Sequence, residues 1–124
     1  MLRWPDNANR DQPLVDEPPL GAHLVSPRGL YTHHGIYAGG GRVVHYSGLS
    51  SGLRRGPVAE VSLESFARGR AVLIRESRRA FDADEVIRRA RSRLGEDCYR
   101  LLSNNCQHFC AWALGNYRDM KEQP

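Results

Sequence analysis

The sequence predicts a single α+β domain, with an antiparallel sheet first and helices after it. Three observations predict this. Short β-branched and aromatic runs separated by glycines, such as "LYTHHGIYA" and "RVVHYS", dominate the first part of the chain. Two capped segments of helical period, "ADEVIRRARSRLG" and "NNCQHFCAWALG", close it. At 124 residues, 40% hydrophobic and 26% charged, the chain can build one core but not two. Strands followed by helices make α+β, not alternating α/β.

Residues 1–20 hold four of the seven prolines and many Asp and Asn, so they form an extended lead-in. The domain spans 21–117, and 118–124 are a tail. "GAHLVS" is the first strand. The runs 30–38 and 42–47 flank Gly39-Gly40-Gly41 and form a hairpin, with the glycines taking positive φ. "PVAEVSL" and "RAVLIRE" are two further strands, and "SLESFARG" between them is a short helix capped by Ser62.

Asp82 caps the helix over 83–94, with Glu85 completing a capping box and Phe81 and Val86 at the staple positions. Val86, Ile87, Ala90 and Leu94 form its apolar stripe, and Gly95 stops it. Asn104 or Asn105 caps the last helix, which Gly115 ends.

Composition narrows the setting. No apolar run approaches the ~18 residues of a membrane span, and the N-terminus has no signal-peptide core, so a soluble cytoplasmic protein is expected. Cys98, Cys106 and Cys110 are an odd number without disulfide spacing, which suits a reducing compartment. The net charge is +4 and Lys121 is the only lysine. Such an arginine bias suits a G+C-rich bacterial gene. The arginines permit transient contact with a membrane surface, but nothing calls for a nucleic-acid partner.

Cys106 carries the chemistry. In the first turn of its helix it meets unpaired N–H groups and the positive end of the dipole, which favour a thiolate. The same N–H groups suit the oxyanion formed when a thiolate attacks a carbonyl. Cys98 and Cys110 have no such setting and read as small hydrophobes.

His108, two residues on, projects roughly 200° away and is a poor base for Cys106. Strand alternation puts Tyr31, His33, Gly35 and Tyr37 on one face, with His34 on the other. If Ala38 pairs with Arg42, Gly35 stands opposite His45, and His45 is the diagonal neighbour of His33. One histidine can then take the thiol proton while the second orients its ring. Ordinary packing is the simpler reading for either histidine alone. Zinc is a weaker alternative, because the cysteines lack paired knuckles. No cofactor or metal is expected.

The segments "HHGIYAGGGRVVHYSG" and "NNCQHF" resemble the lecithin:retinol acyltransferase domain family, whose signatures are H-x-[AG]-I-Y-V-G-x-G-x-V-[VI]-H and N-C-[EQ]-H-F. "VIRRARSRLGEDCYRLLSNN" is similar to the family's approach to its nucleophile. The resemblance runs from about Gly21 to Gly115 and implies a circularly permuted papain-like fold, related to the NlpC-type hydrolases. It implies Cys106 as nucleophile, His33 as base and His45 as the residue orienting it, with an acyl-thioester passed to water, an alcohol or an amine. The implied acyl donor is a phospholipid or another acyl compound; the acceptor is open. Tyr31, Tyr37 and Gly35 are candidates for lining the substrate site, although core packing is the simpler role for both tyrosines. The chain departs from the family at His34, often tryptophan in animal members, at Gly40 for Asp, and at Gln107 for Glu. Its last residues, "GNYRDMKEQP", do not resemble the hydrophobic anchor that ends many animal members, so constant membrane residence is not expected. Two alternatives use the same framework: an amidase or peptidase of NlpC type, and a binding module without catalysis.

Overall fold

The computed structural model describes residues 11–14, 16–29, 31–47, 56–97 and 105–115. Asn104, Cys98 and the tail 118–124 lie outside them. The strands are β1 (Asp11–Pro13), β2 (His23–Pro27), β3 (Thr32–Gly39), β4 (Arg42–Tyr46), β5 (Val58–Ser62) and β6 (Leu73–Arg75). The helices are α1 (Leu63–Ala67), α2 (Ala83–Ser92) and α3 (Cys106–Leu114). The strands form one antiparallel sheet in the order β1-β6-β2-β3-β4-β5, so the histidine-bearing hairpin is central.

Alternation along β3 sorts the core into two layers. Ile36 and Ala38, with Val44 and Tyr46 of β4, pack against Val86, Ile87 and Ala90 of α2 and Cys106, Phe109 and Cys110 of α3. Tyr37, with Leu24 and Val43, packs on the opposite face against Phe66 of α1. The sheet is therefore covered by α2 and α3 on one side and by α1 on the other.

The caps form as the sequence predicts. The Ser62 side chain accepts from Ser65 N–H, Asp82 from Glu85 N–H at 2.9 Å, and Asn105 from His108 N–H at 3.0 Å. Gly115, with φ 82°, ends α3 in the left-handed conformation that a side chain disfavours.

Three local expectations differ. The lead-in is not wholly loose: Asp11–Pro13 adds an edge strand, held by the Asp11 carboxylate on the Arg75 guanidinium at 2.8 and 3.0 Å. α2 ends at Ser92, leaving Leu94 44% exposed beyond the apolar stripe. In the hairpin Gly39, not Ala38, pairs with Arg42, and the register shifts between Tyr37 and Gly39. That bulge lets three positive-φ glycines close the turn while Tyr37↔Val43 keeps the expected register.

Candidate active site

β3 and β4 are paired at Gly39↔Arg42, Tyr37↔Val43 and Ile36↔Val44, and among the described residues the ladder goes no further toward Thr32. Tyr37 turns its N–H and C=O toward β2, bonding Ala22 and Gly21. By alternation, the backbone groups of Thr32 and His34 face the β4 side, where the ladder has lapsed. The Cys106 thiol meets those backbone groups. It lies 3.8 Å from the Thr32 carbonyl oxygen, to which it donates, and it accepts the N–H of His34.

Cys106 is the first residue of α3, so its own N–H and that of Gln107 also reach the sulfur. All three N–H groups favour the thiolate; the two from α3 are those the sequence leads one to expect, and that of His34 is an addition. Burial overrides them. With only 7% of the residue exposed, the thiol is pushed up to about 11 and is protonated at neutral pH. Cys110, one turn on and fully buried, is pushed well above the ordinary thiol value by burial and then by Cys106.

Of the residues singled out, His33 and His45 are brought together: Nε2 of His33 meets Nδ1 of His45 at 2.7 Å, with the rings at 87°. The observed register, continued, sets Gly35 opposite His45 and makes the two histidines diagonal neighbours. Phe66 supports both, stacked on His33 at 5.1 Å and edge-on to His45 at 5.6 Å. Burial lowers His33 to about 3, helped by His45, Arg28 and Arg68; burial, then Arg28, lowers His45 to about 4. Both rings are neutral at pH 7. Their mutual bond leaves His33 Nδ1 for another partner.

The pair belongs to the α1 face of the sheet, whereas the body of Cys106 belongs to the α3 face. Among the described residues no hydrogen bond joins the thiol to either ring. The link between them runs through the β3 backbone, where the sulfur meets the Thr32 carbonyl oxygen and the His34 N–H on either side of His33.

The remaining candidates divide clearly. Gly35 has no free space above it: a Cβ there would stand 2.5 Å from Val43 Cγ1 and 2.9 Å from Phe66 Cε1. Tyr37 is a core residue whose hydroxyl donates to Glu17 at 2.8 Å and accepts Gly41 N–H at 2.8 Å. Tyr31 is 40% exposed. Asn105 is the observed cap, and its amide oxygen also accepts His108 Nδ1 at 2.8 Å. His108 thus serves the cap. Among the described residues, no three His, Cys, Asp or Glu side chains are grouped to hold a metal ion.

A cavity of about 490 Å³ opens beside His45, lined by Ser47, Ala59, Val61, Glu64, Ser65 and Arg68. Sequence reasoning did not find it, nor a second histidine pair on the α3 face, His23 with His34. Alternation in "AHLVS" and "THH" was the available signal for the latter.

The family model described as lecithin retinol acyltransferase matches residues 16–117, a span that includes every strand from β2 onward and all three helices. The chain belongs to that family. It is 32% identical to human lecithin retinol acyltransferase over 74% of this chain and 52% of the human protein. The rat and bovine proteins of that name match over the same shares at 31% and 32% identity. The chain spans about half the length of these curated relatives. Among the described residues no helix is long and apolar enough to cross a membrane.

Proposed function

We propose that this chain is a cysteine-dependent acyltransferase or acyl hydrolase of the lecithin retinol acyltransferase type, with a circularly permuted papain-like arrangement. One observation carries the reading: the Cys106 thiol, at a helix N-terminus, meets the β3 backbone on either side of His33, whose ring bonds His45. Family membership adds the expectation of acyl transfer.

His33 Nδ1 takes the proton from Sγ, and the new imidazolium is stabilised by its bond to His45 Nδ1. For that, His33 must carry its resting proton on Nε2. The thiolate attacks the acyl carbonyl carbon, forming the S–C bond, and the oxyanion is met by N–H groups at the start of α3. The C–O bond breaks, and the leaving oxygen takes the proton from His33. An acceptor hydroxyl, amine or water then gives its proton to His33 and attacks the thioester, releasing the thiolate to be reprotonated. A thiol near 11 and an imidazole near 3 make proton transfer unfavourable at rest. The three N–H groups are already counted in that value, so bound substrate has to supply the difference. The names of the relatives point to a phospholipid as donor.

A second reading, amide or peptide cleavage by the same residues, is favoured by the cavity beside His45, whose hydroxyls and charges suit a polar ligand better than an alkyl chain. Incubation with phospholipid, simple ester and peptide-amide donors, followed by intact mass and peptide mapping, tests both. Acyl-Cys106 from a lipid or ester, lost in Cys106→Ala and His33→Ala, supports the first reading; cleavage confined to amides supports the second. If no donor labels Cys106 above Cys98 and Cys110, the catalytic reading fails in favour of a binding module.

A further inference from the structure

The sheet buries a second imidazole pair on the face turned to α3. His23 Nε2 lies 2.8 Å from His34 Nδ1, and His23 Nδ1 continues to Ser77 Oγ at 2.7 Å. His23 is 7% exposed and His34 3%. Burial and then Arg75 lower His23 to about 3, opposed by Asp11. His34 is held well below its ordinary value by burial, then His23, Arg75 and His33. Both rings are therefore neutral. Apolar side chains could fill this volume without four ring nitrogens to satisfy.

The place where this chain of bonds ends gives it a use. His34 is the β3 residue whose N–H reaches the Cys106 sulfur. On that side β4 no longer braces it, and sulfur is a weak acceptor. Restraint has to come from the other side, where β2 pairs Val25 with His34 and where His23 connects His34 to Ser77 beyond β6. We infer that the Ser77–His23–His34 chain holds the His34 amide against the Cys106 thiol, making these three side chains positioning residues for the nucleophile. The inference rests on Cys106 being the nucleophile proposed above.

Alkylation of the full chain by iodoacetamide across a pH series, quantified on the Cys106 peptide, tests it. His34→Phe and His23→Phe should raise the apparent thiol pKa by about one unit, slowing alkylation near neutral pH about tenfold. Ser77→Ala should slow it about two- to threefold, and His23→Gln, which keeps a donor and an acceptor, should recover most of the rate. Profiles superimposable on wild type in folded His34→Phe and His23→Phe overturn the inference. Where those variants fail to fold, unchanged reactivity in Ser77→Ala overturns it. Absence of acyl-Cys106 in the wild type would sink the acyl chemistry alone, since the alkylation profiles would still report the positioning.

Discussion

His33 and His45, twelve residues apart in the chain, meet Nε2 to Nδ1 at 2.7 Å with their rings almost perpendicular. Because both are neutral, one ring must donate and the other accept, and the proposed chemistry requires His33 to donate. Removing the base is then worse than removing its support. His33→Ala should slow acyl-Cys106 formation by about 10²–10⁴-fold, His45→Ala by less, and the double variant little beyond His33→Ala. Single-turnover mass spectrometry reads all three. Independent, multiplying losses would mean that the two rings do not act as a unit.

Acid should unfold this protein early. His23, His33, His34 and His45 are all depressed below their ordinary 6.5, chiefly by burial. Below that value the unfolded chain binds protons that the native chain refuses. Their neutral burial therefore costs nothing above pH ~6.5 and is penalised increasingly as pH falls, toward folded values of about 3 for His23 and His33 and about 4 for His45. Glu60, held below 4.5 first by its hydrogen bond from Arg91, weakens the fold only at lower pH. Denaturant midpoints should fall between pH about 7 and about 5, a window the histidines dominate. A flat midpoint there would show that the imidazoles gain no protons on unfolding.

Arg89 fastens α2 to the end of α3. Its guanidinium lies 4.4 Å from the Phe81 ring centroid and 4.1 Å from that of Trp112, and it donates to the Trp112 and Ala113 carbonyl oxygens at 2.6 and 3.3 Å. These carbonyls belong to the last turn of α3, where a cation also complements the dipole. Arg89→Met should destabilise by about 1–3 kcal/mol. Arg89→Lys should restore little, because a point charge cannot stack and fork at once. Equal melting temperatures for the lysine variant and wild type would reduce the contact to charge alone.

The legible part of this molecule was what local chemistry dictates. Asp82, Asn105, Ser62 and Gly115 announce helix ends through single hydrogen bonds or a single φ, and they stand where expected. The two histidine faces followed from period-two alternation, even though the bulge moved the turn pairing to Gly39. What escaped depends on groups distant in sequence. Asp11 joins the sheet through Arg75, 64 residues away. The thiol of Cys106 meets the carbonyl oxygen of Thr32, 74 residues upstream. Its expected low pKa failed for the same reason: a helix N-terminus is visible in sequence, while the burial that outweighs it is not.

Gly35 is where the fold and the candidate site share one constraint. A methyl group there would overlap Val43 Cγ1 at 2.5 Å and Phe66 Cε1 at 2.9 Å. Both Val43 and Phe66 would have to yield, and Phe66 is the ring on which His33 stacks. Gly35→Ala should therefore cost about 1–3 kcal/mol and also slow acyl-Cys106 formation. Adding Phe66→Leu should relieve the overlap with that ring, though not the one with Val43, and return a small part of the stability while leaving His33 without its stacking surface. Melting temperature and single-turnover rate should then separate in the double variant. Joint recovery of both would show that the histidine pair does not need Phe66 beneath it.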